Sequence, residues 1–151
     1  MLPRHHIILG AIFAIIFWVV FPWTEWHYVA LIFLSSFLID FDHYMDAVLK
    51  TGKIGLFKAF AYHKKLEKIE LAEYKRGLRR RGDFHFFHTI EFHALTFALG
   101  LVWIPFLYVF IGMFFHSVVD LISLAFEDRL YRREYFLANW IRKKLQCHKT
   151  K

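Results

Sequence analysis

Four groupings of histidine and aspartate interrupt the apolar stretches of this chain, and their spacings suit a metal ion. His116 and Asp120 stand four residues apart, about 40° around a helix, so imidazole and carboxylate project from one face. Asp40 and His43 also share a face, whereas Asp42 points elsewhere unless the helix ends there. His88 and His93 are five apart, about 140° around, which places one of them in a non-helical approach. His6 precedes them all. Mixed imidazole and carboxylate ligands suit Zn2+, with Mn2+ or Fe2+ as alternatives, and the absence of cysteine argues against a structural zinc knot. The set has capacity for one divalent ion, for two or for more, and a pair of ions is the arrangement that clamps a phosphoryl group.

Each piece alone has a plainer reading. An H-x-x-x-D pair on a helix can be a packing hydrogen bond, and D-x-D-H can cap a helix end or bind water. His5 reads as an N-terminal interface residue, and His63, His85 and His148 read as spares. The metal reading gains weight from context, because ionisable groups inside apolar segments are costly and are kept for function.

Those segments must position the ligands. The chain of 151 residues is 58% apolar and 21% aromatic, with 19 Phe, and its apolar residues come in runs without helical or alternating period. Such runs fit lipid, where only internally bonded helices are stable. Four spans are predicted, at about 6–21, 26–44, 85–103 and 105–126, with Pro22 opening the first turn and Pro105 the fourth helix. Several are short against the roughly 20 residues that cross a bilayer. The expected fold is all-α, a single domain over 1–151 built as an integral membrane four-helix bundle with amphipathic interfacial helices. The basic region 48–83 and the basic tail 129–151 supply those interfacial helices, the tail through Leu130, Leu137, Ile141 and Leu145 with Trp140 beside them.

All 20 Lys and Arg lie at Arg4, from Lys50 to Arg81, or from Arg129 to Lys151, and the turns at Pro22 and Pro105 carry none. The positive-inside rule then places both termini and the middle region in the cytoplasm. Under that topology His6, Asp40, Asp42, His43, His88, His93, His116 and Asp120 arrive at one level of the membrane. A net charge of +7 bordering apolar runs points to membrane lipids with anionic headgroups as partners, and no nucleic acid is expected. The N-terminal run lacks a small-residue cleavage site and reads as a retained helix, and the single Cys147 builds no disulfide framework.

In this order the motifs resemble a family of small membrane-bound, metal-dependent hydrolases known in bacteria as LexA-binding, inner-membrane-associated hydrolases. That family shows an early His, then P-D-x-D-H, H-R-G-x-T-H-S and S-H-x-x-x-D. His6 matches the opening; Ile39-Asp40-Phe41-Asp42-His43 resembles the second motif with Ile39 in place of proline; His116 to Asp120 resembles the last. His88 to His93 keeps both histidines of the third motif but lacks the Arg-Gly pair, and Phe92 and Ala94 replace threonine and serine. The family is distantly similar to zinc-dependent phospholipase C and a single-strand nuclease, both all-helical phosphodiesterases. The resemblance implies hydrolysis of a phosphate-containing substrate, a phospholipid or related phosphoester, by metal-activated water at the cytoplasmic face of the inner membrane. Asp42 would be the general base, with His43 beside it. The missing arginine leaves its phosphate-binding role to another cation, near Arg79–Arg81, or to Lys53 or Arg129. A non-catalytic metal-binding scaffold with a basic, partner-recruiting tail is the alternative. Transport would require polar residues through the whole thickness, and the outer half has almost none.

Overall fold

The computed structural model describes residues 3–79 and 81–149; of the cations above, Arg80 and Lys151 lie outside the described residues. The described residues are all-helical, as expected, with no strand among them. The helices are α1 (Pro3–Val20), α2 (Trp26–Leu38), α3 (Phe41–Thr51), α4 (Leu56–Lys75), α5 (Ile90–Val102), α6 (Ile104–Phe126) and α7 (Leu137–Lys149). Short 3-10 turns occupy Phe86–His88 and Leu130–Arg132.

Helices α2 and α6 pack against each other at the centre, with α1 against α2 and touching α6, and α5 against α6. Small residues make the central contact close. A side chain at Gly112 of α6 would collide with the Ile32 carbonyl and the Ser35 hydroxyl of α2. One at Gly10 of α1 would collide with Ser36 on the next position of α2. Adjacent serines of α2 therefore face glycines on two neighbours, the small-residue packing that lets helices approach where apolar solvent gives no hydrophobic drive. Ser35 and Ser36 satisfy their own hydroxyls by donating to the carbonyls of Leu31 and Phe33, each at 2.7 Å.

The distribution of polarity is inverted relative to a water-soluble bundle. The buried apolar core is small, Ala14, Val29 and Ile32 with Phe13, Phe17, Phe33, Tyr108 and Ile111 around it. His6, Ser36, His88, Thr89, His116 and Asp120 are also buried, while Val19, Leu101 and Val102 stand 75%, 71% and 88% exposed. Two elements are long and apolar enough to cross a membrane: the 26 residues Trp26–Thr51 and the 23 residues of α6. Only 28% and 22% of their apolar stretches are buried, whereas a soluble core helix would be mostly covered. The bundle has two unlike ends. The turn through Phe21–Glu25 and the turn at Trp103 carry exposed Trp23, Trp26 and Trp103. The opposite end carries the buried His and Asp groups and the basic helices α4 and α7.

Two of the four expected spans form apolar helices shorter than the other two. Helix α5 has 13 residues, about 20 Å at 1.5 Å per residue, against roughly 30 Å of hydrocarbon. It starts at Ile90 because Thr89 caps it, accepting from the Phe92 N–H at 3.3 Å. The apolar part of α1 also falls short of span length. The second segment, expected to end at Tyr44, runs on to Thr51, where Gly52 closes it in the left-handed conformation (φ 68°) with its N–H on the Val48 carbonyl. In the tail, Leu130 belongs to a separate 3-10 turn and leaves the apolar arc expected of it, and Trp140 stacks on Phe84 at 4.3 Å.

If the seam at Gly112 sets the α2–α6 distance, Gly112→Val should cost about 1–3 kcal/mol of stability through overpacking. Val19→Ala, on an uncovered face, should change it by less than about 0.5 kcal/mol. Thermal unfolding of the two variants in detergent solution measures the difference.

Candidate metal centre

The site begins with a break in the helix ladder. At Asp40 (ψ 0°) the N–H donates to the Phe37 carbonyl, three residues back, and the His43 N–H donates to the Asp40 carbonyl in the same way. That tightened turn brings Asp40 and Asp42 both to the interior, which a continuous helix would not. Near the break the Ser36 carbonyl accepts from His116 Nδ1 at 2.8 Å. The carbonyl can only accept, so the Nδ1 of His116 carries the hydrogen and its Nε2 presents a lone pair.

His88 is held in the same manner from the other side. Its Nδ1 donates to Asp42 Oδ2 at 3.0 Å, and the same oxygen accepts the Phe87 N–H at 3.1 Å. The Nε2 atoms of His88 and His116 therefore point at each other, 3.2 Å apart, in a pocket where both side chains have no exposed surface. Two lone pairs at that distance repel unless a proton or a metal ion lies between them. Histidines whose second nitrogen is fixed by a carboxylate or a carbonyl are the usual form of metal ligands.

Carboxylates complete the arrangement. Asp40 Oδ1 lies 3.5 Å from His88 Nε2 and 3.4 Å from His116 Nε2. Asp120 Oδ2 lies 3.4 Å from His116 Nε2 and 4.0 Å from His88 Nε2. Ligands at about 2.0–2.2 Å from a tetrahedral ion stand about 3.3–3.6 Å from one another, so these separations fit a cation with modest closure. His6 enters from α1: its ring stacks on His116 at 4.0 Å and its Nε2 reaches Asp120 Oδ1 at 3.1 Å. Buried His and Asp groups here could hold a metal ion, in the overlapping sets His6–Asp40–His116, Asp40–His43–His88, Asp42–His43–His85 and His88–His116–Asp120.

Of the eight residues expected at the site, seven meet. His93 does not. Its ring lies one turn into α5, where Nδ1 donates to the Thr89 carbonyl at 3.0 Å and Nε2 faces the Ser117 hydroxyl at 3.0 Å. His85, read from sequence as a spare, takes a place in the cluster instead, its ring 3.7 Å from that of His43. Asp42, expected as a general base, commits one oxygen to orienting His88. Asp40 and His43 are the least buried members, at 19% and 32% side-chain exposure, and mark the open side of the pocket.

Arg133 was not foreseen. It donates to Asp120 Oδ2 at 2.6 Å with its own side chain largely buried. Among the described residues, none of the cations expected to replace the missing arginine pairs with Asp120. Arg79 pairs with Asp128, Arg129 with Glu127, and Arg81 with Glu134. Arg133 is held there by a strap over residues 127–138. Gly82 N–H donates to the Arg132 carbonyl at 2.8 Å, Ile90 N–H donates to the Tyr135 carbonyl at 2.9 Å, and Arg132 pairs with Glu70. Glu91 then caps α7 by accepting from the N–H groups of Leu137 and Ala138 at 2.9 and 3.1 Å. Burial pushes the Glu134 carboxyl up, but hydrogen bonds from Lys143 and Asn139 outweigh it and hold it below its ordinary range. A lowered carboxylate stabilises the strap above its unfolded-state range and loses that contribution as pH falls through the folded value.

Comparison with protein-family models, with curated proteins and with solved structures finds no match.

Removing a ligand should remove metal. His116→Ala and Asp120→Ala should lower the metal bound per chain, while His63→Ala and, from the geometry above, His93→Ala should leave it unchanged. Because histidine must be neutral to bind, occupancy should fall below about pH 6. Elemental analysis of protein purified in detergent and dialysed across that pH range tests both points.

Proposed function

We propose that the protein is a membrane-embedded, metal-dependent hydrolase that cleaves a phosphoester, a phospholipid or a related headgroup, at the cytoplasmic surface of the inner membrane. The observation that carries this reading is the pair of imidazole nitrogens facing each other at 3.2 Å, each fixed from behind, with Asp40 and Asp120 beside them. The donor set suits Zn2+ first, Mn2+ or Fe2+ next. When bound, such an ion lowers the pKa of water and polarises phosphoryl oxygens.

The chain's own residues supply the rest. His88 and His116 are oriented by Asp42 and the Ser36 carbonyl, so modest closure of the ligands around an ion suffices. Apolar helices close the pocket on the membrane side, and Asp40 and His43 leave it open on the side of the basic segments. Arg133, planar and permanently charged, is placed to pair with a phosphoryl oxygen as it now pairs with Asp120. It is our candidate for the role of the arginine missing after His88.

The membrane reading rests on the inverted polarity, the two long apolar elements and the tryptophans gathered at the end opposite the site. In it, α1 and α5 lie against the longer helices as shorter members of a four-helix integral bundle. Both termini and the basic middle region face the cytoplasm, with α4 and α7 along anionic lipid headgroups.

Two measurements test these points. In a Cys147→Ser background, Glu25→Cys and Lys53→Cys should label from opposite faces of sealed vesicles, and labelling from one face would end the topology. Purified protein should hydrolyse an activated phosphodiester in a chelator-sensitive manner, and Arg133→Ala should lower kcat/KM by about 10²-fold, the usual loss of one charge-stabilising donor, without lowering bound metal. Metal binding without hydrolysis of any phosphoester would favour a non-catalytic scaffold.

A further inference from the structure

Two buried atoms in the cluster have no hydrogen-bond partner, and they face each other. Asp42 spends Oδ2 on His88 and the Phe87 N–H, but its Oδ1 is unpaired. His85 Nδ1 is unpaired as well, 3.9 Å away. That is too long for a hydrogen bond and within the span of two ligands on one cation. A carboxylate oxygen and an imidazole nitrogen buried without partners are each costly, and a cation between them satisfies both.

Resting on the hydrolase reading above, we propose that Asp42, His43 and His85 hold a second divalent cation, with Asp40 bridging it to the ion held by His88, His116 and Asp120. The ligand atoms of Asp42, His43 and His85 all lie within 4.8 Å of one another. Asp40 Oδ1 stands between the two groups, 3.5 Å from His43 Nε2 on one side and 3.4 Å from His116 Nε2 on the other. His85 belongs to none of the motifs that carry the family resemblance.

Local structure prepares each ligand. His85 sits in extended backbone (φ −121°, ψ 109°) between Gly82, bonded to the Arg132 carbonyl, and the 3-10 turn that carries His88. Phe84, its neighbour, is stacked on Trp140. His43 is steadied through its own carbonyl, which accepts from His63 Nε2 at 2.9 Å. The strap that delivers Arg133 therefore also fixes the segment that delivers His85.

Charge argues for the second ion on functional grounds. Among the described residues, the three carboxylates Asp40, Asp42 and Asp120 are matched by one guanidinium, that of Arg133 on Asp120, so with neutral imidazoles the pocket is short of positive charge by two, and one divalent ion restores neutrality. A second ion leaves the pocket positive on its open side, the sign needed to draw in a phosphoester anion and to grip its oxygens from two directions.

The test is stoichiometry with Mn2+ as probe. Full-length protein, stripped of metal and titrated with Mn2+ in detergent, should take up about two ions per chain, and the electron paramagnetic resonance spectrum should show exchange coupling through the bridging carboxylate. His85→Ala and His85→Gln should each retain about one ion and lose the coupling, with helical content unchanged by circular dichroism. A wild type that binds one ion, with His85→Ala binding the same, overturns the second site and leaves the hydrolase reading standing. A wild type that binds none overturns both.

Discussion

The pocket beneath the basic segments concentrates negative charge and unshared electron pairs where water cannot dilute them. His88 and His116 direct lone pairs at each other, and Asp40 and Asp120 flank them. In an apolar bundle such a group is tolerable only if positive charge is placed inside it. Arg133 supplies part from the tail. The buried His and Asp groups could hold a metal ion that supplies the rest, and the donor types and separations suit a divalent transition metal. Much of the architecture follows from keeping that group together: three helices and a turn converge on it, and the tail folds back over it.

The scaffold that holds the group is built with little hydrophobic core. Helix contact comes from glycine against serine along α2, and the large apolar side chains point outward. The same close packing draws the helix break at Asp40 toward α6, so that the Ser36 carbonyl reaches His116. Packing and chemistry are thus coupled through one turn of backbone: were the break absent, Asp42 would not turn inward to hold His88.

Much of this was legible in the sequence. Charged residues inside apolar runs are rare enough to be noticed, and their placement at one end of each run implied convergence, which the structure shows for His6, Asp40, Asp42, His43, His88, His116 and Asp120. Spacing also announced that His88 and His93 could not both lie on one helix face. Which one would be diverted was not legible, because it depends on Thr89 capping α5 and on Ser117 arriving from α6. The start of α5 did carry a signal, a threonine directly before the apolar run with Glu91 in its first turn. His85 carried only its nearness to His88: it reaches the cluster from extended backbone ahead of the 3-10 turn, so no helical spacing marks it. Arg133 carried none. It reaches Asp120 only because residues 127–138 fold back on segments distant in the chain, and no local pattern encodes that contact.

The central claim, a cation bound by imidazole and carboxylate in the pocket of His88 and His116, is tested most directly by X-ray absorption at the metal edge of purified protein. Zinc-loaded wild type should show nitrogen or oxygen neighbours at about 2.0–2.1 Å with the multiple-scattering pattern of imidazole and no sulfur shell. A sulfur shell at about 2.3 Å, which would implicate Cys147, or a first shell without imidazole scattering, would contradict it.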